Sequence, residues 1–278
     1  MFVKYFRARI IWLLAVTICL AMLSSSAHAH EGLHEQIVAL TAKIKRDPKN
    51  ATLYVQRGEL HRLHRDWTRA AADYDRAARL QPELQIVDFV RGKMFFESGR
   101  LQRARITLDR FLTQQPSHFE GLVTRARVLA KLNVTTDSIN DFSQALAVSP
   151  DPELYLERAQ VAAGDAQRLH KALNGLDGGI KRLGPLVTLQ LAAIELELRR
   201  HNYDAALARL DLVTSQSERK ETWLARRGEI LTLAGRSAEA RAAFQDALAA
   251  IDSLPPSHRQ ARSITALQLR IRSALEAQ

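Results

Sequence analysis

The chain has a single cysteine, Cys19, among 278 residues. No intramolecular disulfide framework and no thiolate metal cluster can form. Glycine and proline are sparse, at 12 and 8. That excludes collagen-like and Gly/Ser-linker chains and argues against a loop-rich β protein. Catalytic motifs are missing too: there is no GxSxG, no Gly-rich phosphate loop, no HExxH and no EF-hand pattern. Gly178-Gly179 is too short to cradle a phosphate, and no pair of carboxylates stands out. What is present is a folding composition, 46% hydrophobic and 25% charged, which excludes wholesale disorder.

The first 29 residues read as an address. Lys4, Arg7 and Arg9 precede an apolar stretch from Ile10 to Leu23, and Ser24, Ser25, Ser26 and Ala27-His28-Ala29 follow. A basic start, an apolar middle and a small-x-small end form the pattern of a secretory signal peptide. The apolar run is shorter than the roughly 20 residues of a membrane span, although an uncleaved anchor stays open. Ile18 before Cys19 argues against lipidation, which needs a small residue there. Cleavage after Ala29 leaves His30 to Gln278, without cysteine. It removes three basic residues and no acid, so the formal charge of +10 becomes +7. Arginines are spread along the whole chain, and the expectation is solvated helix faces rather than a nucleic-acid patch.

A period dominates the remainder. Pro48, Pro82, Pro116 and Pro150 are spaced by 34 residues. The same interval joins Gly58, Gly92 and Ala126, then Ala70, Ala104 and Ser138, then Tyr74, Leu108 and Phe142, and finally Ala77, Phe111 and Ala145. Self-similarity of this kind dictates a repeat architecture. Each unit reads as two helices. In the first, Tyr54, Val55, Gly58 and Leu63 share helical spacing, and Asp66 can cap a second helix opening at Trp67. Ala70, Tyr74 and Ala77 occupy one face of that second helix, and Pro82 ends it. Small residues at 58 and 70 let two helix backbones approach, with Tyr74 filling the space beside them.

The pattern Tyr54…Gly58…Ala70…Tyr74…Ala77…Pro82 resembles the tetratricopeptide repeat family at every spacing. Leu122…Ala126…Ser138…Phe142…Ala145…Pro150 and Leu224…Gly228…Ala240…Phe244…Ala247 follow it again, with Gly235 turning between the last two helices. The second unit has Asp88 in place of the opening aromatic but keeps Gly92, Ala104 and Pro116. Two central units are weaker. Leu156…Ala163…Ala172…Leu176…Gly179 has Gln160 at its small site, and Leu189…Ala193…Leu196…Ala205…Leu212 is read as starting one residue early. The resemblance implies an all-α, right-handed superhelical solenoid of about six hairpins over 51–253. Flanking it are a capping helix within 30–50, carrying Leu33, Ile37, Leu40 and Ile44, and a capping helix within 254–278. The latter is read as running from His258 to Glu276, capped by Ser257. Gly175, Gly178 and Gly179 suggest a soft segment over Leu173–Gly184.

Histidine is the ambiguous signal. His30 and His34 near the new N-terminus could bind copper or zinc, although a complete ligand set is missing and a solvated helix start is the simpler reading. His61 and His64 are expected as exposed side chains facing a turn. Asn50 and Asn133 lie in formal glycosylation sequons; Asn133 is read instead as a left-handed residue at a helix end.

The resemblance places the functional surface on the first helices of successive units, where a concave groove holds a peptide or partner helix. The matching positions are Val55, Glu59 and Arg62, then Phe89, Lys93 and Phe96, then Val123, Arg127 and Lys131. Aromatic side chains beside cations would anchor an extended, partly acidic segment. Val55 and Glu59 replace the Lys/Asn carboxylate clamp known in the family, so chaperone-tail recognition is not expected. The expected function is a non-enzymatic, exported adaptor or assembly factor, most simply periplasmic, with a protein or peptide partner, no cofactor, no nucleic acid and no membrane span after cleavage. A metal-handling protein using His30 and His34, and a scaffold for an anionic envelope polymer, are the alternatives.

Overall fold

The computed structural model describes residues 32–277. The leader and His30 lie outside the described residues. Among these residues there are fifteen α-helices and no strand. Helix α1 covers residues 32–46. Six helix pairs follow in sequence: α2 (Ala51–Leu63) and α3 (Trp67–Leu80), α4 (Ile86–Glu97) and α5 (Leu101–Gln114), α6 (Phe119–Lys131) and α7 (Thr135–Val148), α8 (Pro152–Ala163) and α9 (Leu169–Leu183), α10 (Val187–Arg199) and α11 (Tyr203–Ser215), and α12 (Glu221–Leu233) and α13 (Ser237–Asp252); α2 with α3, α4 with α5, α8 with α9, α10 with α11 and α12 with α13 pack as hairpins. The chain ends in α14 (Pro256–Arg259) and α15 (Arg262–Glu276). It divides into two compact units between Asn133 and Val134.

Local chemistry sets the helix starts. The Asp66 carboxylate accepts from the Arg69 backbone N–H at 3.0 Å and caps α3. Asp151 accepts from the N–H groups of Glu153 and Leu154, and Pro152 opens α8 with its ring already at a helical φ. The turns inside the hairpins share one device. Arg65, Gly99, Asn133, His201 and Gly235 all have φ between 55° and 76°, and their numbers differ by 34 or twice 34. A left-handed residue ends the first helix of the pair there. The missing member is position 167, where the fourth hairpin substitutes a 3-10 turn over Ala166–Arg168.

The second helices keep the 34-residue register without a break. Ala70, Ala104, Ser138, Ala172, Ala206 and Ala240 are buried, and so are Tyr74, Leu108, Phe142, Leu176, Leu210 and Phe244. The fifth hairpin therefore corrects the sequence reading. Ala206, Leu210 and Val213 face the core, whereas Leu212 is 52% exposed. In three hairpins the first-helix glycine seats the bulky residue sixteen positions later. A Cβ at Gly58 would lie 2.5 Å from the Tyr74 ring, one at Gly92 2.6 Å from Leu108, and one at Gly228 2.6 Å from Phe244. The fourth hairpin reverses the roles: Gly179 on the second helix lies against Tyr155 on the first, at 2.9 Å from such a Cβ.

That reversal accounts for part of the glycine cluster. Helix α9 runs unbroken through Gly175, Gly178 and Gly179. Arg158 donates to the Gly175 carbonyl at 3.1 Å, Gly179 is closed by Tyr155, and Gly178 alone faces open space. The C-terminal segment also differs from its sequence reading. It is two helices, broken at Gln260-Ala261, and neither is capped by a Ser257 side chain. Ile264, Leu267 and Ile271 of α15 are buried in the cluster formed by α11 to α13.

Within each unit the second helix of a hairpin packs on the first helix of the next. First helices also meet one another: α2 with α4 and α4 with α6 in the first unit, α8 with α10 in the second. In the first unit α2, α4 and α6 form one face, and that face carries the candidate site.

Candidate functional site

The first-helix face of the first unit contains every lining position read from the sequence, and the structure divides them into three groups. Val55, Phe89 and Val123 are buried, at 8%, 4% and 6% exposure. Phe89 stacks on Phe111 with centroids 5.3 Å apart and packs 4.9 Å from the His118 ring. It holds α4 against α5 and the start of α6, so its ring is not offered to a partner. Glu59, Arg62, Lys93 and Glu97 form a second group. Arg62 donates twice to Glu59, at 2.9 and 3.0 Å, and once to Glu97. The Tyr74 hydroxyl and the Lys93 ammonium also donate to Glu59.

This network is a set of fixed charges. Burial alone would push the Glu59 carboxyl up, but hydrogen bonds from Arg62 and Tyr74 hold it below the usual carboxylate range. Burial and the Glu59 carboxylate push the Tyr74 phenol up. Glu59 stays ionised and Tyr74 protonated near neutral pH, and the network is spent on joining α2, α3 and α4. Arg62 and Lys93, expected as ligand-facing cations, are neutralised from within.

The third group reaches solvent. Phe96 is only partly buried, and the Lys131 ammonium lies 5.7 Å from its ring centroid. Arg127 and Lys131 are exposed. In the second unit, Leu156, Ala159, Leu176 and Leu196 line an apolar cleft of about 530 Å³ between α8 and α10. Gln160, at the position of the small residues, opens on it.

Two histidines part company. His64 is exposed as expected, but His61 is buried and its Nε2 lies 3.9 Å from Asp73. Desolvation, joined by Arg57 and Arg69, lowers its pKa against the opposing pull of Asp73 and Asp66. His34 is exposed on α1. Among the described residues no three metal-ligating side chains converge, and no helix is long and apolar enough to cross a membrane.

The sequence reading missed a recurrent arginine. Arg57, Arg91, Arg125, Arg158 and Arg227, all on first helices, reach back to the preceding second helix or, for Arg57, to α1. Their partners there are Thr41, Asp75, Asp109, Ser143 and Asp211. Arg57 also donates twice to the buried Asp73. Four of these five contacts span sixteen residues and one spans fifteen. The signal was available, because most of the arginines and aspartates recur at 34.

Residues 130–270 match a tetratricopeptide repeat-like domain, and residues 39–85 and 55–119 match the tetratricopeptide repeat itself. No curated protein matches. Among solved structures, YrrB, titled a TPR protein with an unusual peptide-binding site, is 19% identical with a TM-score of 0.53, over 62% of this chain and 89% of its own. The MamA protein is 16% identical with a TM-score of 0.53, over 61% of this chain and 93% of its own. A chain of the Naa15/Naa10 complex bound to HypK-THB is 13% identical with a TM-score of 0.52, over 82% of this chain and 34% of that one. With a domain match over half the chain, a 34-residue register through six helix pairs and glycine-seated second helices, this protein belongs to the tetratricopeptide repeat family.

Proposed function

We propose that this protein is an exported, non-enzymatic adaptor that holds a partner protein on the first-helix face of its first unit. The fold is a protein–protein interaction module. The observation that carries the reading further is the solvent-facing pair on α4 and α6. Phe96 is partly exposed beside Lys131, above a floor already rigidified by the Glu59 network. A rigid floor lowers the ordering cost of binding, and an aromatic next to cations suits a partly acidic segment with an apolar anchor. YrrB's peptide-binding site is in keeping with such a role. Export rests on the leader pattern, and a periplasmic site of action follows from it.

The test is crosslinked recovery of partners from the cell envelope with the chain tagged at its C-terminus. A Phe96→Ala/Lys131→Glu chain should lose the partner recovered by the parent chain. Phe89→Ala is the wrong probe, because that ring is core. Equal recovery by both chains, or full-length protein retaining its leader in the cytosol, would end the proposal.

A further inference from the structure

The formal charge is not shared between the two units. Residues 32–133 hold 19 basic and 11 acidic side chains, whereas residues 134–277 hold 18 of each. Arginines are spread along the chain, but the whole excess of the described residues, +8, belongs to the first unit. Within that unit the first-helix face uses most of its cations internally, as the Glu59 network shows. The excess must lie elsewhere.

Six exposed cations gather at one edge. Lys43, Lys45 and Arg46 end α1, Lys49 sits in the turn before α2, Arg79 is in the last turn of α3 and Arg76 is one turn earlier. None of the six is paired with a carboxylate among the described residues. Tyr54 ties the edge together. Its hydroxyl donates to the Pro48 carbonyl at 3.2 Å, and the Arg76 guanidinium lies 5.9 Å from its ring centroid. Since α3 runs antiparallel to α2, its last turn lies beside the turn that carries Lys49. Asp47, Asp75 and Glu83 are the acids beside the six in the sequence; Asp47 already accepts from the Asn50 amide and Asp75 from Arg91.

Helix stability explains part of this arrangement. Cations in the last turns of α1 and α3 are favourable there. Lys49 is not: it precedes the positive end of α2, whose first turn has no acid to offset it. A concentration of like charge with one member at the wrong helix end costs stability through self-repulsion.

We infer that this edge, formed by the ends of α1 and α3 and the turn before α2, docks an acidic, extended protein segment, separately from the first-helix face. A protein partner is favoured over a lipid or polymer surface because the fold is a protein-interaction module. Arg46, Arg76 and Arg79 can also each take a carboxylate in a two-pronged hydrogen bond.

The probe is a fluorescent peptide of about twelve glutamates, titrated by anisotropy against the chain from His30 onward in low salt. A Lys45→Glu/Arg46→Glu/Arg79→Glu variant should bind at least about tenfold more weakly. The neutral Lys45→Gln/Arg46→Gln/Arg79→Gln variant should fall between. A control reversal in the second unit, Lys171→Glu/Arg241→Glu/Arg272→Glu, should change affinity less than about twofold. Circular dichroism verifies that each variant is folded. Equal weakening by both reversals would overturn the inference, as would tight binding to phosphatidylglycerol vesicles with none to the peptide. The Phe96→Ala/Lys131→Glu chain separates the two proposals, since it should keep the peptide and lose the envelope partner.

Discussion

At the scale of single residues, neighbouring positions on one helix should respond in opposite directions. Gly178 has open space where a Cβ would sit, so Gly178→Ala should stabilise the protein by up to about 1 kcal/mol by removing an unfavourable helix interior. Gly179 is closed by the Tyr155 ring, and Gly179→Ala should cost about 1–3 kcal/mol through overpacking. Urea midpoints of the two variants check this, and equal shifts would refute the packing account. A third residue-scale prediction concerns Gln190. It is buried, and its Oε1 has no hydrogen-bond partner among the described residues. The 34-residue register places leucine at the equivalent positions 122, 156 and 224. Gln190→Leu should therefore stabilise the chain by about 1 kcal/mol or more, because an orphaned buried acceptor is removed and apolar surface added. An unchanged or lower melting temperature would count against it. The sequence alone marked the glycines as soft, since composition does not say which neighbour a missing side chain admits.

At the scale of elements, the hairpins were legible because a helix pair must repeat its small–large contacts wherever it is stacked. The second helices, which pack on both sides, held the register through all six. The first helices were less legible. They present one side to the interior and one to the open face, and residues such as Gln160 there can change without loss of core. Phe89 illustrates the limit. Its position in the pattern belongs to the open face, but His118 and Phe111 close over it. Charged side chains were least legible, because a long arginine can bridge two hairpins while looking like a solvated face. Their contributions should nevertheless differ by burial. Arg57 is the principal partner of Asp73, whose side chain is 7% exposed. Arg57→Ala should cost about 3 kcal/mol or more by leaving that carboxylate buried and uncompensated. Arg227 is at the same repeat position, but its partner Asp211 is 58% exposed, so Arg227→Ala should cost less than about 1 kcal/mol. Comparable losses in thermal unfolding would mean that repeat position, rather than burial, sets the cost.

At the scale of the molecule, the two units should answer acid differently. Repeat arrays add up local stabilities rather than sharing one core. The buried His61 belongs to the first unit and faces Asp73 and Asp66 as well as Arg57 and Arg69. In the unfolded chain an imidazole takes up its proton near pH 6.5. In the folded chain burial lowers that value, so the unfolded state binds more protons as pH falls through 6.5, and stability is lost over that range and on down to the folded pKa. Glu59 acts in the same direction only at lower pH, since its folded pKa lies below the ordinary carboxylate value of 4.5. A shift from pH 7.5 to 5.5 thus titrates His61 while leaving Glu59 ionised, and His61→Gln tells its part from that of His118, whose Nδ1 accepts from the Gly121 N–H. Trp67 and Trp223 report the two units separately, and in the chain from His30 onward, which lacks Trp12, Trp67→Phe and Trp223→Phe each leave one probe. The urea midpoint followed by Trp67 should fall over this range while that followed by Trp223 holds, and His61→Gln should flatten the first response. Parallel falls at both tryptophans, persisting in His61→Gln, would show that the acid sensitivity is not local to this histidine.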